Sequence, residues 1–345
     1  MSSWLSFLAS RGARLVAGGV ADFGDAAAEL TAARDATIVA DLSHEALIAV
    51  TGEEASAFLH AQLTNDVQAL PEGAAQWTGW CTPKGRLLAT ILLVRRAEGY
   101  LLILPAEIAA AIAKRLAMFV LRSKVRIEEA SARYVAIGFA GKSAGVMIAR
   151  HWAHTPDPLR SVEKDNALCI ALDEQRFMIV TPHAAAPILW DALSEHAVKA
   201  GADAWEWAAI RAGIPTIVAA TQEAFVPQMA NFDLIGGVSF RKGCYPGQEI
   251  VARTQYRGIL KRRMALAHLD GTERPAPAQS VYSAAFGEQA AGMIVNAAPS
   301  PEGGFDLLVV AQLESLARAD LRWKSPQGPR LEIRERPPIG AEALT

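Results

Sequence analysis

A chain of 345 residues that is 51% hydrophobic and 20% charged has the length of two or three domains and is too apolar to remain disordered. Its net charge of -2 argues against nucleic-acid binding by bulk positive charge, and its three scattered cysteines, with no CxxC or Cys/His array, argue against a structural zinc site or a four-thiolate cluster held by one chain. No apolar run approaches the roughly 20 residues of a bilayer span. The start, Met1-Ser2-Ser3-Trp4-Leu5, also lacks the charged and apolar regions of a leader, so a cytoplasmic, reducing location with no membrane is expected. Arg11 and Arg14 leave an organellar targeting reading open.

The first clear element is a strand over 47–50. A helix follows, with Thr51 and Glu54 at capping-box spacing and Ala55, Phe58, Leu59 and Leu63 on one face. Strands are expected over 76–80, 86–94 after the Pro83-Lys84-Gly85 turn, and 100–104 after Glu98-Gly99. Pro105 opens a helix running to about 121. A second unit repeats this order: a strand over 134–139, a helix over 143–151, an irregular loop at 154–158, strands over 168–172 and 176–180, and a helix over 184–200. The order β-α-β-β-α resembles a ferredoxin-like plait, so two α/β units are expected, over 1–130 and 131–204. A short helix over 205–213 ends at Gly213 and Pro215. The segment 231–258 reads mostly as loop. Short strands at 281–282, 293–295 and 306–310 predict a small C-terminal β-barrel within 263–345. The stretch 325–338 reads as surface turns or a loose tail.

The densest chemistry lies in Lys242-Gly243-Cys244-Tyr245-Pro246-Gly247-Gln248-Glu249, continuing to Arg253, Tyr256 and Arg257. A lone thiol sits among glycines that permit close backbone approach, with Arg241, Lys242, Arg253 and Arg257 near it in sequence. Cationic neighbours favour a thiolate, the nucleophilic and metal-binding form. Glu249 can hold a Lys or Arg or move a proton, and Gln248 is a neutral donor and acceptor. Spacing alone equally allows a glycine-rich surface loop with an inert cysteine. Cys81 reads more simply as a small strand-end hydrophobe than as a partner thiol. Gly141-Lys142-Ser143 lacks the glycine spacing of a phosphate loop, and His151 and His154 lack a third ligand.

The motif closely resembles the signature K-G-C-Y-x-G-Q-E-x-x-A-R-x-x-x-R-G of the YgfZ-type folate-binding proteins. Further matches run in order along the chain: Gln62-Leu63-Thr64-Asn65-Asp66-Val67, Cys81-Thr82-Pro83-Lys84-Gly85, Ala212-Gly213-Ile214-Pro215-Thr216-Ile217, Phe225-Val226-Pro227-Gln228-Met229-Ala230-Asn231, and the run from Gly236. The resemblance implies an α+β, aminomethyltransferase-like fold: two ferredoxin-like units and a small β-barrel around a central hole, with 205–262 completing a folate site. It implies tetrahydrofolate or another reduced folate as ligand and no stably bound metal. It also implies a role in assembling or repairing iron–sulfur clusters, including those of radical enzymes that thiomethylate tRNA. The partners would then be iron–sulfur carriers or client enzymes, with no direct nucleic-acid contact, and a monomer is the family-like state.

By the same resemblance Cys244 is the reactive group, supported by Lys242, Gly243, Tyr245, Gly247, Gln248, Glu249, Arg253, Tyr256 and Arg257. Trp205, Asn65 and Asp66 are the folate-contact candidates. Asn65 and Asp66 also fit a plain Asx-type turn. The transferase relatives carry an aspartate pair after the Gly turn, where this chain has Leu88 and Ala89, and a carboxylate before Ala-Gly, where it has Arg211. Glycine-cleavage chemistry is therefore not expected. A second folate-lining tryptophan of the family falls near Glu45, which is not aromatic. The rival readings are a folate-dependent one-carbon transferase or demethylase, for which Asp66 and Glu249 are the available bases, and a scaffold that uses no folate.

Overall fold

Strong apolar alternation and dense β-branched runs give the sheets of this protein, in a computed structural model that describes residues 2–256, 258 and 260–335. Arg257 and the end of the tail from 336 lie outside the described residues. The described residues of Met1–Phe58, Gln68–Gln76 and Leu92–Ala208 form one unit, and those of Leu59–Val67, Trp77–Ile91 and Ala209–Thr345 form a second.

In the first unit a six-stranded sheet runs in the order Ser161–Lys164, Ala167–Ala171, Arg176–Pro182, Tyr134–Gly141, Thr37–Asp41, Val198–Ala200. Its pairs are antiparallel except the last, where Val198–Ala200 runs parallel to Thr37–Asp41. Alternate residues Phe177 and Ile179, with Ile137, Phe139, Cys169 and Ala171, point to one face. The helices Ala144–Trp152 and Ala186–Ser194 cover that face with Ile148, Trp152, Trp190 and Leu193. The same unit holds the strands Glu45–Thr51, Gly99–Pro105 and Arg126–Glu129, with Leu87–Arg96 pairing onto Gly99–Pro105 from Leu92 onward.

In the second unit a six-stranded antiparallel sheet runs Arg322–Trp323, Ser280–Tyr282, Gly292–Pro299, Phe305–Gln312, Arg262–Leu269, Glu332–Glu335. Ala265, Ala267, Leu307, Val309 and Ile294 fill its concave side, beside Leu316 of the helix Leu313–Arg318. Its edges approach each other through the Arg322–Arg330 bridge and a bond from Leu331 N–H to Leu321 O, so the sheet curls as the barrel reading expects.

Several elements differ from the sequence expectation. The chain before residue 45 is structured: helices Ser3–Ser10 and Ala26–Asp35, a hairpin of Arg14–Val16 and Gly19–Asp22, and the interior strand Thr37–Asp41. That strand inserts between sequence-distant partners, which local periodicity does not reveal. The Pro105 helix stops at Ala117, about a turn early. The helix expected over 184–200 ends at Ser194, and its last part becomes the strand Val198–Ala200, because the open edge of Thr37–Asp41 offers a backbone ladder. The capping-box reading fails, since the Glu54 carboxylate accepts from Lys124 N–H at 2.6 Å. Glu332–Glu335, expected as loose tail, pairs with Arg262–Leu269. The second half of the cysteine motif is not loop but the helix Gln248–Tyr256, with Val251 anchoring its inner face.

Candidate functional site

The motif matches scattered along the sequence converge in the second unit, where hydrogen bonds to backbone fasten an irregular loop. Thr64 Oγ1 donates to Gly237 O at 2.6 Å and accepts from Gly79 N–H at 2.7 Å. Asn65 gives both amide protons to backbone, to Trp77 O at 2.8 Å and Gly236 O at 2.6 Å, while its Oδ1 accepts from Asp66 N–H at 2.9 Å. Gln228, nearly fully buried, donates to Val251 O at 2.7 Å, and Arg263 forks onto Asp233 at 2.6 and 3.0 Å. Thr216 and Asn296 exchange two bonds of 2.9 Å, tying the Ala212–Ile217 match to the barrel strand Gly292–Pro299.

Gly247 shows why the Pro83-Lys84-Gly85 turn and the cysteine motif belong together. Its φ is +85°, and a Cβ there would fall 2.4 Å from Thr82 O and 2.6 Å from Gly85 Cα. Only a residue without a side chain allows the two backbones to meet. The helix Gln248–Tyr256 starts at once after this contact.

Lys242 is the electrostatic centre of the loop. It is 8% exposed, its Nζ donates to Leu63 O at 2.7 Å and to His60 O, and it lies 5.0 Å from the Tyr245 ring centroid. It thus caps the carbonyl end of the helix Ala55–Gln62. Burial pushes its pKa from 10.5 down to about 8, while nearby Asp66 and Cys244 act to raise it. The ammonium therefore faces helix-end carbonyls rather than an external anion. His60 Nδ1 lies 3.1 Å from Asp66 Oδ1 without hydrogen-bond alignment, and His60 Nε2 reaches the edge of Gly243. His60, Asp66, Lys242 and Cys244 so form one polar cluster.

Cys244 is exposed, while Cys81 and Cys169 are buried with their thiols pushed far up by desolvation. Cys81 ends its strand near Tyr245, whose hydroxyl is also pushed up by burial. Glu249 pairs with Arg253 at 2.8 Å, one turn along an exposed helix face, and Gln248 sits 3.4 Å from Gly243 O. Tyr256 is exposed and packs edge-on against Phe240 at 6.0 Å.

The remaining candidate, Trp205, belongs to the first unit, on the helix Ala202–Arg211. It is 5% exposed and lies against Gly138, where a Cβ would come within 2.6 Å of the indole. The next residue, Glu206, couples to Glu45. Desolvation, and after it the Glu206 charge, pushes Glu45 up to about 8. Burial holds the adjacent His44 down at about 4, and its Nδ1 has no hydrogen-bond partner. In the second unit Leu88 and Ala89 are buried and apolar. Among the described residues no group of three His, Cys, Asp or Glu side chains is placed to hold a metal, and no helix is long and apolar enough to cross a membrane.

Sequence reasoning missed His60, His44 and the Glu45–Glu206 pair. His60 follows Leu59 on a helix read only for its apolar face. In the sequence Glu45 stands out only as a non-aromatic residue, since coupling between side chains 161 positions apart carries no local signal.

Residues 20–156 match the family model of the GCVT N-terminal domain. The structure superimposes on the glycine cleavage system aminomethyltransferase T of Bartonella henselae with a TM-score of 0.80, covering 97% of this chain and 96% of that one at 16% identity. The fold is therefore that of the aminomethyltransferases. The tRNA-modifying protein YgfZ of Serratia proteamaculans (strain 568) is 32% identical over 298 residues, spanning 85% of this chain and 89% of that protein. The YgfZ protein of Escherichia coli O7:K1 is 34% identical over 224 residues, 64% and 68% of the two chains. This chain belongs to the YgfZ family, whose members here carry the name of tRNA-modifying proteins.

Proposed function

We propose that this protein is a tetrahydrofolate-binding accessory factor that supports assembly or repair of iron–sulfur clusters, including those of tRNA-thiomethylating enzymes, through Cys244. The observation that carries this reading is the contrast among the three thiols: Cys244 is exposed beside Lys242, whereas Cys81 and Cys169 are buried. A surface thiol on a rigidly fastened loop suits transfer to or from a partner's cluster, and a carrier or client enzyme is the expected partner. The cluster is cargo in this reading.

The polar groups around Glu45 fit a pterin. A carboxyl that keeps its proton up to about pH 8 presents a donor and an acceptor side by side, and the unpartnered His44 Nδ1 adds another polar atom. Trp205, on the same unit, would supply an aromatic surface. A bound reduced folate would supply one-carbon chemistry. The chain's own residues would bind and orient it. The transferase alternative has little support, since Leu88 and Ala89 bring no carboxylate and Glu249 is paired with Arg253.

Two measurements test the reading. Titration with 5-formyltetrahydrofolate should quench tryptophan fluorescence saturably in the wild type. A Trp205→Ala variant with an unchanged curve removes Trp205 from the site, and no binding at all removes folate. In cells, Cys244→Ala should lose support of iron–sulfur enzyme activity with folate binding intact; full support by that variant ends the thiol role.

A further inference from the structure

A cavity of about 260 Å³ lies in the first unit, remote in sequence from every motif residue, between the helices Ala144–Trp152 and Ala186–Ser194. Its walls are Trp152 on one helix and Ala185, Ile188, Leu189 and Ala192 at the start and along the face of the other. Its floor is the strand Arg176–Pro182, through Thr181. Phe177 and Ile179 of this strand face the helical layer, and the two-residue repeat puts Thr181 on that same face. Thr181 is fully buried, yet its Oγ1 has no hydrogen-bond partner. A buried hydroxyl without a partner is costly, so a fold that keeps one inside a cavity leaves a polar anchor for something that enters.

The mouth selects against charge. Lys164 donates to His151 O at 2.7 Å and stands next to Asp165 at the tip of a two-residue hairpin turn, so one cation and one anion offset each other. Desolvation, then Lys164 and His196, hold His151 below its ordinary value, with Glu195 opposing, which disfavours its charged form. Ile188 is 77% exposed and adds an apolar lip. At about 30 Å³ per water-sized group, the space takes about nine non-hydrogen atoms.

We propose that this cavity is a binding site for a small neutral ring compound with one hydrogen-bonding group, of phenol or indole type, its ring against Trp152 and Leu189 and its polar group on Thr181 Oγ1.

The test uses the full chain with phenol and indole as probes, followed by ligand-observed NMR and calorimetry, and with benzoate and benzylamine as charged counterparts. Saturable binding of at least one neutral probe is expected, with both charged counterparts at least tenfold weaker. Thr181→Val, which keeps shape and removes the hydroxyl, should weaken binding about fivefold. Ala192→Leu should abolish binding while circular dichroism stays that of the wild type. Absence of saturable binding by both neutral probes overturns the proposal. So does binding of benzoate or benzylamine as tight as that of phenol, or an affinity unchanged in both folded variants. If either variant fails to fold, the comparison of neutral and charged probes on the wild type still decides.

Discussion

Phe177 and Ile179 in the six-stranded sheet, and Cys244 in the motif loop, are held in place by different forces. The sheet residues are fully buried among aromatic and aliphatic neighbours from two helices, and apolar burial fixes them. The loop packs on a small apolar cluster of Phe232, Val238 and Val251, with Trp77, Ile235 and Phe240 against it. It is held instead by Thr64, Asn65, Gln228 and Lys242 bonding to backbone carbonyls and N–H groups, and by the contact of Gly247 with Thr82 and Gly85. A thiol that must remain at the surface cannot be immobilised by burying it. The chain around it is fixed by directional bonds and close backbone packing.

The largest effect that tests this contrast is chemical. One thiol equivalent should react quickly with a disulfide reagent in the native protein and vanish in Cys244→Ser. The other two thiols should react at least about a hundredfold more slowly, at the rate of opening. Equal reactivity of all three would break the comparison. Phe177→Ala should cost about 3–5 kcal/mol in urea denaturation, the range for emptying a buried aromatic site. Gly247→Ala should cost roughly 3 kcal/mol, from left-handed strain and a backbone collision, and should open the loop to proteolysis near Cys244.

Lys242→Met sharpens the electrostatic part. With a folded pKa of about 8 against an ordinary 10.5, the unfolded chain binds more protons between those values. Wild-type stability should therefore rise relative to Lys242→Met from pH 8 to 10.5, by about 2–3 kcal/mol. A flat difference would mean that the ammonium is solvated. Glu45 gives a pH effect of the opposite sign. Its pKa is raised from 4.5 to about 8, so the folded state binds more protons in that window and stability falls as pH rises through it. Glu45→Gln should remove that decline, seen as a Tm advantage over wild type at pH 9 that disappears at pH 4.

The local code was strong where the period is short and the neighbours are close in sequence. The strands Glu45–Thr51, Ala75–Cys81, Gly99–Pro105, Tyr134–Gly141 and Arg176–Pro182 were legible from alternation and turn residues, and the family was legible from one dense motif with ordered matches upstream. The sequence by itself therefore determined the aminomethyltransferase-like fold, the YgfZ family and the prominence of Cys244. Tertiary structure alone decided the rest. It turned 198–200 into a strand by offering the edge of Thr37–Asp41, and it ordered Gln248–Tyr256 as a helix on the backbone contact at Gly247. It also turned Lys242 inward onto His60 and Leu63, and brought Glu206 within reach of Glu45. Each of these depends on partners far apart in the chain, and the energy of desolvating a charge or closing a backbone contact exists only once those partners have met.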